Sequence, residues 1–136
     1  MIKLTVKGRP VPKARPVVPK KGRPYTRKST LKYEQKVREA YRASSNPAYM
    51  AGEALSADLR FYFKVPKNTT KKQWAELIQH PWYTKKKDLD NLAKSVLDAL
   101  NGVAYADDSQ IACLYLSKVY DISSKGERVE IYIGRM

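Results

Sequence analysis

From Leu55 to Val65 the sequence alternates without a break: Leu55, Ala57, Leu59, Phe61, Phe63 and Val65 are apolar, and Ser56, Asp58, Arg60, Tyr62 and Lys64 stand between them. Successive strand side chains point to opposite faces, so this pattern makes a strand with one apolar and one wet face. Such a strand belongs in a sheet that buries one side under another layer and leaves the other to solvent, the habit of antiparallel sheets. Pro66 closes it, since proline has no ladder donor.

The same period returns at both ends. Ile2, Leu4 and Val6 alternate with Lys3, Thr5 and Lys7, and Val129, Ile131 and Ile133 share one face of a last strand. The apolar run Ile111–Tyr120 supplies a further strand, followed by a turn through Ser123-Ser124-Lys125-Gly126. Helical spacing lies between. Ser29 or Thr30 is expected to cap a helix with Tyr33, Val37, Ala40, Tyr41 and Ser44 on one face, ended by Ser45-Asn46-Pro47. A short helix is expected over Lys71–Gln79, and a longer one from about Asp88 to Leu100, stopped by Asn101-Gly102. Residues 8–28 carry five prolines and eight basic residues with no acid, which makes an extended loop. Loops of that length in a compact domain are usually functional or disordered. The expected fold class is α+β, a β-α-β-α-β-β order in one domain spanning 1–136, with a mostly antiparallel four-stranded sheet and helices packed on one face.

Lys and Arg total 27 against 13 acidic residues, a net charge of +14. A surplus that large concentrates polyanions around the chain and releases counterions when phosphates bind. No segment sets a basic face opposite a wide apolar one, so nucleic acid is expected as partner and membrane is not. The single cysteine, Cys113, excludes an intramolecular disulfide and reads as a small core residue; with a single histidine it also excludes a zinc site. The amino terminus alternates instead of forming a signal-peptide core, and no stretch reaches membrane-spanning length, so a soluble, cytoplasmic protein in a reducing compartment is expected.

The stretch Lys85-Lys86-Lys87-Asp88-Leu89-Asp90-Asn91-Leu92-Ala93-Lys94 carries the chemistry. On a helix Leu89, Leu92, Val96 and Leu100 form the buried stripe, with Asp90, Lys94 and Asp98 stacked opposite and Asn91 and Ser95 beside them. Structure alone accounts for part of this, with Asp88 as cap and Asp90–Lys94 as an exposed ion pair. A second acidic pair, Asp107-Asp108, follows in a chain short of acid. Hard cations such as Mg²⁺ take a few carboxylates plus water and a substrate phosphate. A phosphodiesterase uses such ions to neutralise the scissile phosphate, activate water and stabilise the leaving oxygen. Asp88, Asp90 and one of Asp107 and Asp108 supply the carboxylates if the loop after the helix folds back, and Lys94 lies within reach of the phosphate.

Asp-Leu-Asp-Asn-Leu-x-Lys, then Asp-Ala-Leu-Asn-Gly, then Asp-Asp-Ser-Gln-Ile, with the early Gly8–Pro16 segment and His80, resembles the RusA family of Holliday junction resolvases across nearly the whole chain. The resemblance implies a homodimeric, Mg²⁺-dependent endodeoxyribonuclease, often encoded on prophages, that nicks four-way DNA junctions symmetrically in recombination and repair. It assigns Asp88, Asp90 and Asp108 to the metal and Lys94 to catalysis, with Asp107 the lesser candidate and no small-molecule cofactor. Arg9, Lys13, Arg15, Arg23, Arg27, Lys85, Lys86 and Lys87 flank the acidic residues in two loops and are the candidate phosphate contacts. Tyr25, in the basic loop, offers a ring for an unpaired base, with loop packing as its structural alternative. His80 has either a structural or an acid–base role. A noncatalytic DNA-binding or architectural protein, and a nuclease of flaps or forks, are the competing readings.

Overall fold

A computed structural model describes residues 1–136. The alternating segment forms strand β2 (Leu55–Lys64), with Leu55, Ala57, Leu59, Phe61 and Phe63 fully buried. β1 (Ile2–Lys7) and helix α1 (Lys28–Ala43) precede it; α2 (Lys71–Gln79), α3 (Leu89–Leu100), a 3₁₀ turn (Asp108–Gln110), β3 (Ile111–Asp121) and β4 (Arg128–Arg135) follow. The strands lie in the order β1-β4-β2-β3. β4 pairs antiparallel with both β1 and β2, setting Leu4 and Leu59 opposite Ile131.

The β2–β3 pair is parallel, so the sheet is mixed. The cause is the long connection: a parallel neighbour needs a crossover, and α2 and α3 provide it. Parallel pairing sends β3 back beside α3, which positions the functional site.

The core joins the apolar sheet face to α1 and α3 through Tyr33, Val37, Leu92, Val96, Ala99 and Leu100. The other face is wet. There Arg128 lies 3.7 Å over the Tyr62 ring and pairs with Asp121 at 3.1 Å and Glu130 at 2.9 Å.

Several local expectations change. Neither Ser29 nor Thr30 caps α1. Arg27 holds the N-cap position without a side-chain bond, and Thr30 is buried, its hydroxyl accepting from the Ala14 N–H at 3.4 Å. Ser44 is exposed at the C-cap instead of lying on the packed face. Ser95 is wholly buried, because its hydroxyl donates to the Leu92 and Val11 carbonyls, each at 2.8 Å. Cys113 is only half-buried, because β3 is the sheet's edge strand. Residues 8–28 are extended as expected and contain one tight excursion, where Val17 and Tyr25 exchange backbone hydrogen bonds of 2.8 and 3.0 Å. No helix is long and apolar enough to cross a membrane.

Candidate active site

Asp88 stands at the N-cap of α3 with extended backbone, and Asp90 lies in the first turn. Carboxylates are favoured there by the partial positive charge of the unpaired helix N–H groups. Asp88 does not cap the helix with its side chain; it accepts only from the Asn91 amide, at 3.4 Å. Beyond α3 the chain turns tightly, with the Gly102 N–H on the Tyr105 carbonyl at 2.9 Å and the Ala104 N–H on the Leu100 carbonyl at 2.9 Å. Gly102 adopts φ +75°, which suits glycine, and an added Cβ there would meet open space. The segment so reversed carries Asp107 and Asp108 back along α3.

Asp90, Lys94, Asp98 and Asp108 consequently line one cleft of about 190 Å³, floored by Ala93, Leu97, Leu114 and Leu116. Asp88 lines a second cleft of about 430 Å³ with Lys13, Lys86, Lys87 and Asn91. Asp107 is committed elsewhere: its carboxylate accepts from the Ser109 hydroxyl at the start of the 3₁₀ turn. Gln110 braces that turn, accepting from the Ala106 and Asp107 N–H groups and donating to the Met50 and Glu53 carbonyls. Behind the cleft the buried Tyr105 phenol donates to the Leu97 carbonyl at 2.7 Å. Its pKa is raised by burial first, then by the negative charges of Asp108, Asp98 and Asp107.

Of the 13 acidic residues, Glu34, Glu53, Asp58, Asp98, Asp121, Glu127 and Glu130 are in salt bridges, whereas Glu39 on α1, Glu76 on α2 and the clustered Asp88, Asp90, Asp107 and Asp108 are in none. Cations are abundant, so shortage does not explain those open carboxylates. The expected Asp90–Lys94 pair does not form. Lys94 instead reaches forward to Asp98 at 3.6 Å.

The candidate phosphate contacts separate into two groups. Arg15, Arg23, Arg27, Lys85 and Lys86 are exposed and free of ion pairs. Arg9 is half-committed, paired with Glu127 at 2.9 Å and lying over the Phe63 ring at 5.6 Å. Lys87 is half-buried, and its pKa is lowered by burial and then by the Arg9 charge. Lys13 is not a free cation: its Nζ sits 3.0 Å from Glu34 and 3.2 Å from Asp98, with the side chain 20% exposed. Burial works to lower its pKa, but hydrogen bonds to those two carboxylates outweigh this and raise it.

Sequence reasoning gave no role to Glu34, Asp98, Gln110 or Lys118. Lys118 donates to the Lys87 carbonyl at 2.8 Å and the Lys85 carbonyl at 3.4 Å, tying the basic turn to β3. Asp98 and Gln110 left a signal as members of the Asp-Ala-Leu-Asn-Gly and Asp-Asp-Ser-Gln-Ile motifs, and Asp98 also as a carboxylate in the last turn of a helix, where the dipole disfavours it. His80 is the exposed C-cap of α2 and lines a separate polar groove with Glu76, Thr70 and Lys85. Tyr25 is 56% exposed.

The model of the family described as endodeoxyribonuclease RusA matches residues 7–134. The uncharacterized protein YqaN of Bacillus subtilis (strain 168) is 35% identical over 139 aligned residues, covering 97% of this chain and 94% of that protein. A crossover junction endodeoxyribonuclease rusA of Lactococcus phage r1t is 30% identical over 110 residues, covering 80% of this chain and 75% of its own. The matched span takes in the basic loop, the acidic helix and the 3₁₀ turn, the elements that build the two clefts. The chain belongs to the RusA family of endodeoxyribonucleases.

Proposed function

We propose that the chain resolves four-way DNA junctions, as a homodimer that nicks opposed strands with Mg²⁺ held by Asp90 and Asp108 and by Asp88 as the third carboxylate. One observation carries the reading: Asp90 and Asp108, free of ion pairs in a chain of net charge +14, line one cleft with Lys94.

The donor chemistry fits the metal. No three His, Cys, Asp or Glu side chains converge as a preassembled ligand set. Mg²⁺ does not demand one, since it usually keeps several waters and takes one or two carboxylates plus phosphate oxygens. When bound it neutralises charge at the scissile phosphate and makes water a better nucleophile. The chain's own groups do the rest. Lys86 and Lys87 beside Asp88, with Arg15 and Arg23 in the early loop, hold flanking phosphates. Hydrolysis joins a water oxygen to phosphorus and breaks one bond to a deoxyribose oxygen, which departs needing a proton. Lys94, at the cleft rim, holds a phosphate oxygen or supplies that proton.

A second copy is supported by the outer edge of β3 over residues 111–117, which carry no charge. Backbone bonds from Tyr120 to Pro81 and from Tyr83 to Lys118 cover its far end. Toward Ile111 no strand covers it, and Leu114 and Tyr115 are 42% and 63% exposed. Exposed edges are normally guarded by charge, as Lys3 and Lys7 guard β1, and an uncharged one is suited to pair with its own copy. Leu114 also floors the acidic cleft, so this seam would set two clefts side by side for two strands.

The test compares cleavage of a synthetic four-way junction, a flap and a linear duplex in Mg²⁺ and in chelator. Paired nicks in the junction, abolished by chelator, are expected. Tight junction binding with no cut under either condition would return the chain to an architectural role, and preference for the flap would move the substrate.

A further inference from the structure

Helix α3 carries one carboxylate that helix stability does not explain. Asp98 lies in its last turn, at the negative end of the dipole. Its partner Lys94 precedes it by four residues, the weaker orientation for such a pair. Yet Asp98 is firmly fixed. Lys13 reaches it at 3.2 Å and is itself anchored at 3.0 and 3.3 Å by both oxygens of Glu34, a buried carboxylate on α1. The Lys13 backbone is fixed too, donating to the Asn91 carbonyl at 2.8 Å. Asp98 faces the same cleft as Asp90 and Asp108, and Lys94, 59% exposed, rests against it at 3.6 Å.

We propose that Asp98 is a positioning residue: it holds the Lys94 ammonium at the cleft, and Lys13 with Glu34 fixes Asp98 for that task. A lysine stem is long and flexible, so an ammonium acting on one phosphate oxygen needs a fixed partner. A bare carboxylate would provide one at the cost of another anion facing the phosphate. Lys13, shared with Glu34, offsets part of that charge from behind, and Lys94 is left oriented at the cleft.

The inference rests on the reading of Lys94 as the group that acts on the phosphate, and the test separates the two. Asp98→Asn, Asp98→Glu, Lys94→Ala and the Asp98→Asn/Lys94→Ala double variant are compared in single-turnover junction cleavage, junction affinity in chelator and thermal melting. A fourth readout needs neither DNA nor metal: acylation of Lys94 by an N-hydroxysuccinimide ester, followed by peptide mass spectrometry. Asp98→Asn is expected to slow cleavage by ~10- to 10²-fold, the scale of a small misplacement, with affinity within a few-fold of wild type. It is expected to speed Lys94 acylation several-fold and to add nothing in the Lys94→Ala background. Asp98→Glu, which keeps the charge and the Lys13 pair, is expected to recover part of the rate.

Slow Lys94→Ala with normal Asp98→Asn would overturn the positioning role and leave Lys94 standing. Additive losses in the double variant, or unchanged acylation, would overturn it too. A wild-type rate in Lys94→Ala would overturn both readings. Should Asp98→Asn fail to fold, a wild-type rate and acylation in Asp98→Glu would assign Asp98 to the fold alone.

Discussion

Lys13 separates two accounts of the early basic loop, one in which it meets phosphate and one in which it holds the loop to the helices. Its ammonium lies between Glu34 and Asp98, with side-chain exposures of 20%, 8% and 24% for the three groups. Lys13→Met keeps the stem and deletes the charge, leaving Glu34 buried without its partner. Breaking a buried pair in this way costs ~3–5 kcal/mol, and the water reaching Lys13 and Asp98 places this case nearer ~2–4 kcal/mol. For a domain of this length that corresponds to a melting point lower by about 10 °C. Glu34→Gln alone is expected to cost ~1–3 kcal/mol. Adding it to Lys13→Met is expected to be milder than the sum by ~1 kcal/mol or more, because the orphaned charge is then gone.

The assay is a denaturant or thermal melt of the two single variants and the double, beside the salt dependence of junction binding. The slope of log affinity against log salt is expected to stay that of the wild type. A Lys13→Met protein that melts within ~0.5 kcal/mol of wild type but loses about one unit of slope would refute the clamp and return Lys13 to the DNA. The pH dependence has a definite sign. The folded pKa of Lys13 lies above the ordinary lysine value. Its contribution is therefore complete below about pH 10.4 and is lost as pH rises through the higher folded value.

Asp90→Asn and Asp108→Asn each preserve shape while removing a carboxylate charge from the proposed metal site; single-turnover junction cleavage is expected to fall by ~10²-fold or more, with binding held or tightened, and near-normal cutting would displace the site. Neutralising Arg15, Lys20, Lys21 and Arg23 should weaken binding to every DNA shape and flatten its salt slope by about one unit per lost contact, whereas an unchanged slope would place the loop off the DNA. Cys113 is the sole cysteine. Nitroxides on it are therefore expected, by electron–electron dipolar spectroscopy, to lie within ~2 nm of each other across strands paired at ~4.8 Å, and a monomer or a long distance would exclude the β3 seam. Burial works to raise the Asp121 pKa, but hydrogen bonds from Ser123, Gly126 and Arg128 lower it overall. The stability it contributes should be present above the ordinary aspartate value near ~3.9 and be lost below it, and Asp121→Asn should flatten an acid melt in that range.

The strands and helices were legible because their signals are local. Alternation placed β1, β2 and β4 nearly to the residue, and proline and glycine marked where elements stop. The parallel β2–β3 pairing was not, because a strand's own sequence does not name its neighbours, and only the length of the α2–α3 connection permits it. Ser95 shows a similar limit. A hydroxyl beside the polar stripe looks exposed until the Val11 carbonyl, from a loop far away in sequence, gives it a buried acceptor. The four aspartates were visible as residue types, and the spacing showed that Asp90 and Lys94 share a face. That Asp108 joins them, that Asp107 is held by Ser109, and that Lys13 is held by Glu34 all depend on tertiary contacts.

What sustains open carboxylates in so basic a chain follows from where they stand. Asp88 and Asp90 begin α3, where the helix N–H groups supply partial positive charge and the one side-chain contact is the long hydrogen bond from the Asn91 amide to Asp88. Ion pairs with the nearest lysines would stabilise them as well, but would also occupy the oxygens. The lysines are kept apart by other attachments: Lys13 by Glu34 and Asp98, Lys94 by Asp98, and the Lys85–Lys87 backbone by Lys118. Positive charge thus lies in and around the clefts without pairing with Asp90 or Asp108. On the proposed reading, a divalent cation held there would offset the negative charge of Asp90 and Asp108, and a phosphate drawn by the surrounding lysines would then have a place to sit.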